Sequence, residues 1–199
     1  MTKKISVMGI ATCILYFVAV AAFLITKTEI ALTLWELMTV IGAPVVMLVL
    51  LKINGIIFAE SIYRQATIAF MSCTCALTSI AHIVNITVTR TLISQGVNVP
   101  TYFQIGFWPS VEMAIDYLAW GFFTGLAFLC IGFAIKSKEK LLRMIKTTSL
   151  VCGVLCMVGF WGTIFINENM WYTAPMGYVF GTIILCILMV KIKPVAENK

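Results

Sequence analysis

The sequence predicts an all-α, polytopic membrane protein: six transmembrane helices forming a single domain over residues 1–199, with both termini cytoplasmic. Three observations point to it. Of 199 residues, 61% are hydrophobic and only 11% charged, far more apolar than one soluble core absorbs. The apolar residues fall into six runs of about 20, the length that crosses a hydrocarbon layer ~30 Å thick. Lysine and arginine also collect in alternate loops. With six spans, Lys3, Lys4, Lys52, Arg64, Lys136, Lys138, Lys140, Arg143, Lys146, Lys191, Lys193 and Lys199 lie inside, and only Lys27 and Arg90 lie outside. Miscounting one internal span would move every later loop to the other side and erase that asymmetry. The formal net charge of +6 is therefore topological, and no nucleic-acid partner is expected.

The first run, Ile5 to Thr26, carries no charge. Ala19-Val-Ala21 resembles a signal-peptide cleavage site, but the run exceeds a usual signal core and is taken as helix one. The second runs from about Ala31 to Leu51, with Thr33 and Glu36 spaced for a capping box and Pro44 predicting a kink. Asn54-Gly55 suits its C-cap. The third begins within Ile56 to Gln65, where Glu60 and Arg64 are spaced to pair, and ends near Thr89. Arg90 to Trp108 is the longest loop, rich in aromatic residues that suit a membrane interface or a lid. The fourth span starts at Pro109, a residue at home in a first helical turn, and reaches Ile135. The fifth covers Thr147 to Asn167, with Cys152, Cys156, Gly159 and Thr163 as a small-residue packing stripe. The sixth ends at Val190. GxxxG pairs stand at Gly121/Gly125 and Gly177/Gly181, and are candidate faces for a membrane protein partner.

Candidate functional residues lie in spans two to four. Cys75, Thr78, His82, Asn85 and Thr89 recur on one face of span three. At about 1.5 Å per residue, His82 lies roughly 12 Å below Arg90 and Asp116 roughly 10 Å below Pro109, so an antiparallel pair brings them to one depth. Glu112 shares the face of Asp116, closer to the outer surface. Acids in hydrocarbon cost about 2.5–3.5 kcal/mol each on insertion scales, so they must face the bundle interior or a wet cavity. Taken singly, Glu36 can serve a cap, Glu112 a helix dipole, and Asn85 an interhelical bond. Asp116 is harder to explain structurally, and an imidazole beside it could exchange protons.

The expected ligand- or proton-binding set is thus Glu36, His82, Asn85, Glu112 and Asp116, around a polar pocket open to the outer side. It would bind or transport a small solute, with protons linked to it, in a bacterial cytoplasmic membrane. An intramembrane enzyme acting on a lipid-like substrate is the alternative, though no nucleophile stands beside a base. A non-catalytic subunit or immunity-type partner is the third reading. No metal or cofactor motif is read, and the seven cysteines, all within spans, suit burial better than a disulfide framework.

Overall fold

A computed structural model describes residues 2–192, so Lys193 and Lys199 of the inside count lie outside the described residues. Six helices are long and apolar enough to cross a membrane: α1 (Thr2–Thr26), α2 (Glu29–Ile56), α3 (Ser61–Ser94), α4 (Val111–Ala134), α5 (Lys140–Phe165) and α6 (Glu168–Lys191). Among the described residues there is no strand. Each helix packs on its neighbours in sequence, and α6 returns to α1, so the bundle closes as a ring. Its centre holds Leu50, Ile53, Met71, Phe128, Ile131 and Leu185, all fully buried. Large apolar side chains such as Phe17, Val154 and Ile187 stay exposed on its outside, where lipid would cover them.

Several helix ends differ from the sequence expectation. The start of α2 is capped by Thr28, whose hydroxyl accepts from the Ala31 amide at 3.4 Å. Thr33 is then interior and donates to the Glu29 carbonyl, so the expected Thr33–Glu36 capping box does not form. At the other end Asn54 and Gly55 remain helical, and Phe58 takes the positive φ of 49° in the turn. Helix α2 continues there because Ile53 and Asn54 are still buried against the bundle. Because α3 begins only at Ser61, Glu60 sits in the turn and pairs with Lys136 across the bundle end, not with Arg64. Helix α4 starts at Val111, two residues after Pro109, with Ser110 as cap accepting from the Met113 amide at 3.1 Å. Helix α3 runs past Thr89 to Ser94, which turns Arg90 from a loop residue into a helical one.

Three of these helices contain a wide π turn: Asn85–Thr89 in α3, Leu118–Phe123 in α4 and Met176–Phe180 in α6. Such turns shift register by one residue and free a carbonyl, and they concentrate at functional sites. In α4 the Ala119 carbonyl keeps the Thr124 amide as its i+5 donor and also lies 3.1 Å from the Thr74 and Thr124 hydroxyls.

Both GxxxG pairs are spent on α5. A Cβ at Gly121 would lie 2.7 Å from Phe160 Cβ, and one at Gly177 would lie 2.7 Å from the Cys152 carbonyl oxygen. The α5 stripe of Cys152, Cys156, Gly159 and Thr163 is buried between them. These faces hold the chain's own helices together, so they do not present the surface expected for a membrane protein partner.

Candidate functional site

Four of the five expected residues meet. Glu36, on α2 and fully buried, directs Oε2 to the Arg90 guanidinium and Oε1 to Asn85, whose Nδ2 donates at 2.6 Å. The same Oε1 lies 3.7 Å from His82 Nδ1, an ion-pair distance too long for a hydrogen bond. On the far side of the ring, His82 Nε2 lies 3.3 Å from Asp116 Oδ1 on α4. A file of ionisable side chains thus runs from Arg90 through Glu36 and His82 to Asp116.

Local structure explains why these side chains face one another. His82 and Asn85 are three residues apart and share a helix face. Arg90 follows Asn85 by five residues, about 140° away in a regular helix. The π turn closes with the Arg90 amide bonded to the Asn85 carbonyl, an i to i+5 step that brings Arg90 back over Asn85. Its guanidinium then folds inward, donating to the Thr33 hydroxyl as well as pairing with Glu36. Arg90 was expected outside as a topology marker, and it is the member that sequence reasoning missed. The only available signal was its unusual place as one of two basic residues on the sparse side.

Glu112 stands apart. It is 5% exposed, its Oε2 has no hydrogen-bond partner among the described residues, and it does not join the file. One turn separates it from Asp116 along α4, so it shares the same side of that helix without sharing the same partners.

The pocket itself is aromatic rather than polar. Asp116, whose side chain is 18% exposed, is the one member of the file that lines it. The walls come from five helices, with Tyr16 on α1, Trp35 on α2, Trp120 on α4, Phe160 on α5 and Tyr178 on α6. The empty space is about 390 Å³ counting its open mouth, of which about 30 Å³ can hold the centre of a water molecule. That is room for one or two waters. Tyr16 and Tyr178 join their hydroxyls at 3.0 Å, and Trp120 packs on the Tyr178 ring with centroids 4.5 Å apart. At the rim, Trp108 from the long loop packs on Tyr117, and Tyr117 stacks on Trp171 in the first turn of α6. The loop thus touches the mouth through Trp108, and Thr89 donates to its Phe103 carbonyl at 3.4 Å.

In chemical terms, both nitrogens of His82 face a carboxylate. A doubly protonated ring donates toward both, whereas a neutral ring donates to one and turns a lone pair on the other. With His82 protonated and both acids ionised, Arg90, Glu36, His82 and Asp116 sum to zero charge. Among the described residues no group of three or more metal-ligating side chains is present. In comparison with known proteins, the chain matches no family model, no curated protein and no solved structure.

Proposed function

We propose that this chain is a multi-pass membrane protein of a bacterial cell membrane, with cytoplasmic termini, that binds a small solute in the aromatic cavity and couples its binding or transport to a proton on His82 and Asp116. One observation carries the reading. The file Arg90, Glu36, His82, Asp116 ends at Asp116, which lines the aromatic cavity. Six apolar helices and the bias of lysine and arginine support the membrane setting and the orientation. In that orientation the cavity, walled by Trp35 near the start of α2 and by Trp171 at the start of α6, opens to the outer side.

The file suits proton coupling because a change of charge at Asp116 is felt at once by His82, 3.3 Å away in a medium that screens weakly. Arg90 and Asn85 both bind Glu36 and hold it in place, and this reading puts the mobile proton at the His82–Asp116 end. The alternative, an intramembrane enzyme on a lipid-like substrate, needs two acids around one groove. Here only Asp116 meets the cavity, while Glu36 and Glu112 are packed behind it.

The test is a ligand screen by thermal shift on purified protein, followed by uptake into proteoliposomes with and without a pH gradient. Asp116→Asn should abolish ligand-dependent shifts and uptake, and His82→Ala should abolish the gradient-driven part of the uptake, while both leave the protein folded. If both variants behave as wild type with a ligand that demonstrably binds, the reading fails.

A further inference from the structure

The walls of the cavity say more about its occupant than the file behind it. Tyr16, Trp35, Tyr117, Trp120, Trp171 and Tyr178 surround a single carboxylate. Aromatic faces carry negative electrostatic potential, and a ring of them recognises cations too weakly hydrated to need a full oxygen shell. A neutral apolar solute would leave Asp116 dehydrated and uncompensated on that side, and an anion would meet both the carboxylate and the π faces with repulsion. A bare metal ion would find too few oxygen donors. An ammonium group clad in carbon satisfies every wall at once.

We propose, building on the solute-binding reading above, that the cavity binds a small monovalent organic cation, a methylated or primary amine, through Asp116 and the aromatic faces, and that its binding releases one proton from His82. Charge dictates the stoichiometry. When His82 carries its second proton, the empty site sums to zero, with Arg90 and His82 against Glu36 and Asp116. When a cation lies against Asp116 it supplies the positive charge that the imidazolium supplied, and a neutral His82 restores the balance. The Nε2 proton leaves, and no bond in the ligand is made or broken. The titratable or charged groups around this pair are few. Glu36 faces His82 from α2 and Arg90 faces Glu36 from α3. Tyr16 from α1 and Tyr178 from α6 share the cavity with Asp116, and on α4 Tyr117 and Glu112 lie within a turn of it. Helix α5 contributes only Gly159 and Phe160. Neither Arg90 nor Glu36 lines the cavity, so neither competes directly for the ligand.

The size limits the ligand. With room for one or two waters, the cavity as it stands matches methylammonium, and tetramethylammonium enters when the rim of Tyr117 and Trp171 moves aside.

Binding of tetramethylammonium and of the uncharged, similarly sized tert-butanol is compared by thermal shift and indole fluorescence, with proton release followed by a pH indicator in weak buffer. Tetramethylammonium should bind saturably, tert-butanol should not, and about one proton should appear per cation at a pH where His82 is charged. Asp116→Asn should remove binding and proton release together, while His82→Gln should keep binding and lose the proton. Trp171→Leu at the rim should weaken binding roughly threefold to thirtyfold, the range of one cation–π face, and keeps the proposal testable should Asp116→Asn not fold. Equal binding of tert-butanol, or release of no proton, overturns the inference. Asp116-dependent binding of a neutral or anionic solute in the wider screen overturns the cation assignment and leaves the pocket reading standing. Absence of any Asp116-dependent ligand overturns both.

Discussion

Arg90 is where the structure makes its sharpest energetic claim. Glu36 is fully buried and Arg90 is the cation placed against it, so Arg90→Met leaves a carboxylate in the bundle without its guanidinium. Removing one partner of a buried ion pair costs about 3–5 kcal/mol. Asn85 still donates to Glu36 at 2.6 Å and His82 stays 3.7 Å away, which places the expectation at the lower end, about 3 kcal/mol. For a chain of this size that is a fall of roughly 6–12 °C in unfolding midpoint. The reverse change, Glu36→Gln, should cost only about 1 kcal/mol, because the Arg90 side chain is 19% exposed and can turn its head toward the helix end. The assay is a double-mutant cycle on purified protein in one detergent, with unfolding followed by tryptophan fluorescence. A coupling above about 1 kcal/mol is expected, since the double variant no longer holds an unpaired charge. Additivity within about 0.5 kcal/mol, or an Arg90→Met variant as stable as wild type, would refute the pairing.

Other expectations follow from the packing and the topology. Gly177→Ala places a methyl 2.7 Å from the Cys152 carbonyl oxygen and should cost about 1–3 kcal/mol, whereas Gly55→Ala meets nothing within 4 Å in a helix and should gain about 0.5–1 kcal/mol; the reverse order in thermal unfolding would contradict the packing. A single cysteine at Gly96 in a cysteine-free background should react with an impermeant maleimide added outside intact cells, and one at Lys138 only after lysis; labelling from the same side would overturn the orientation. Lys136 lies fully exposed with its ammonium held above the usual 10.5, first by its hydrogen bond to Glu60 and then by that carboxylate's charge. A raised value means the pair contributes below 10.5 and its contribution is lost as the pH climbs through the raised value. Solvent and salt screen it, so Lys136→Met should move the midpoint by no more than about 1 °C at pH 7. A shift of several degrees would show that the pair matters to the fold.

Much of the site was legible before any coordinates. The depth count that set His82 opposite Asp116 needed only the rise per residue and two helix ends, and the two side chains stand 3.3 Å apart. That count tolerated an error at the end of α3, because Arg90 and Pro109 served as rulers and not as true boundaries. Glu36 belongs to the expected set, but the capping box with Thr33 three residues before it is a local pattern that knows nothing of Asn85 or Arg90 49 and 54 positions on. A GxxxG pair marks a face that another helix can approach closely, but whether a partner or the chain's own α5 fills it is invisible to a motif.

By itself the sequence determined the six apolar spans, their alternation with charged loops, and which polar residues are carried inward, because these are sums over about 20 neighbouring residues weighed against water and hydrocarbon. Only the tertiary structure decided that Arg90 turns in to meet Glu36, that Glu112 is left out, and that Asp116 opens into a cage of aromatic rings drawn from five helices. Those outcomes depend on the rotation of each helix about its own axis. Rotation is set by packing and by π turns that shift register by one residue, and neither leaves a periodic mark in the chain.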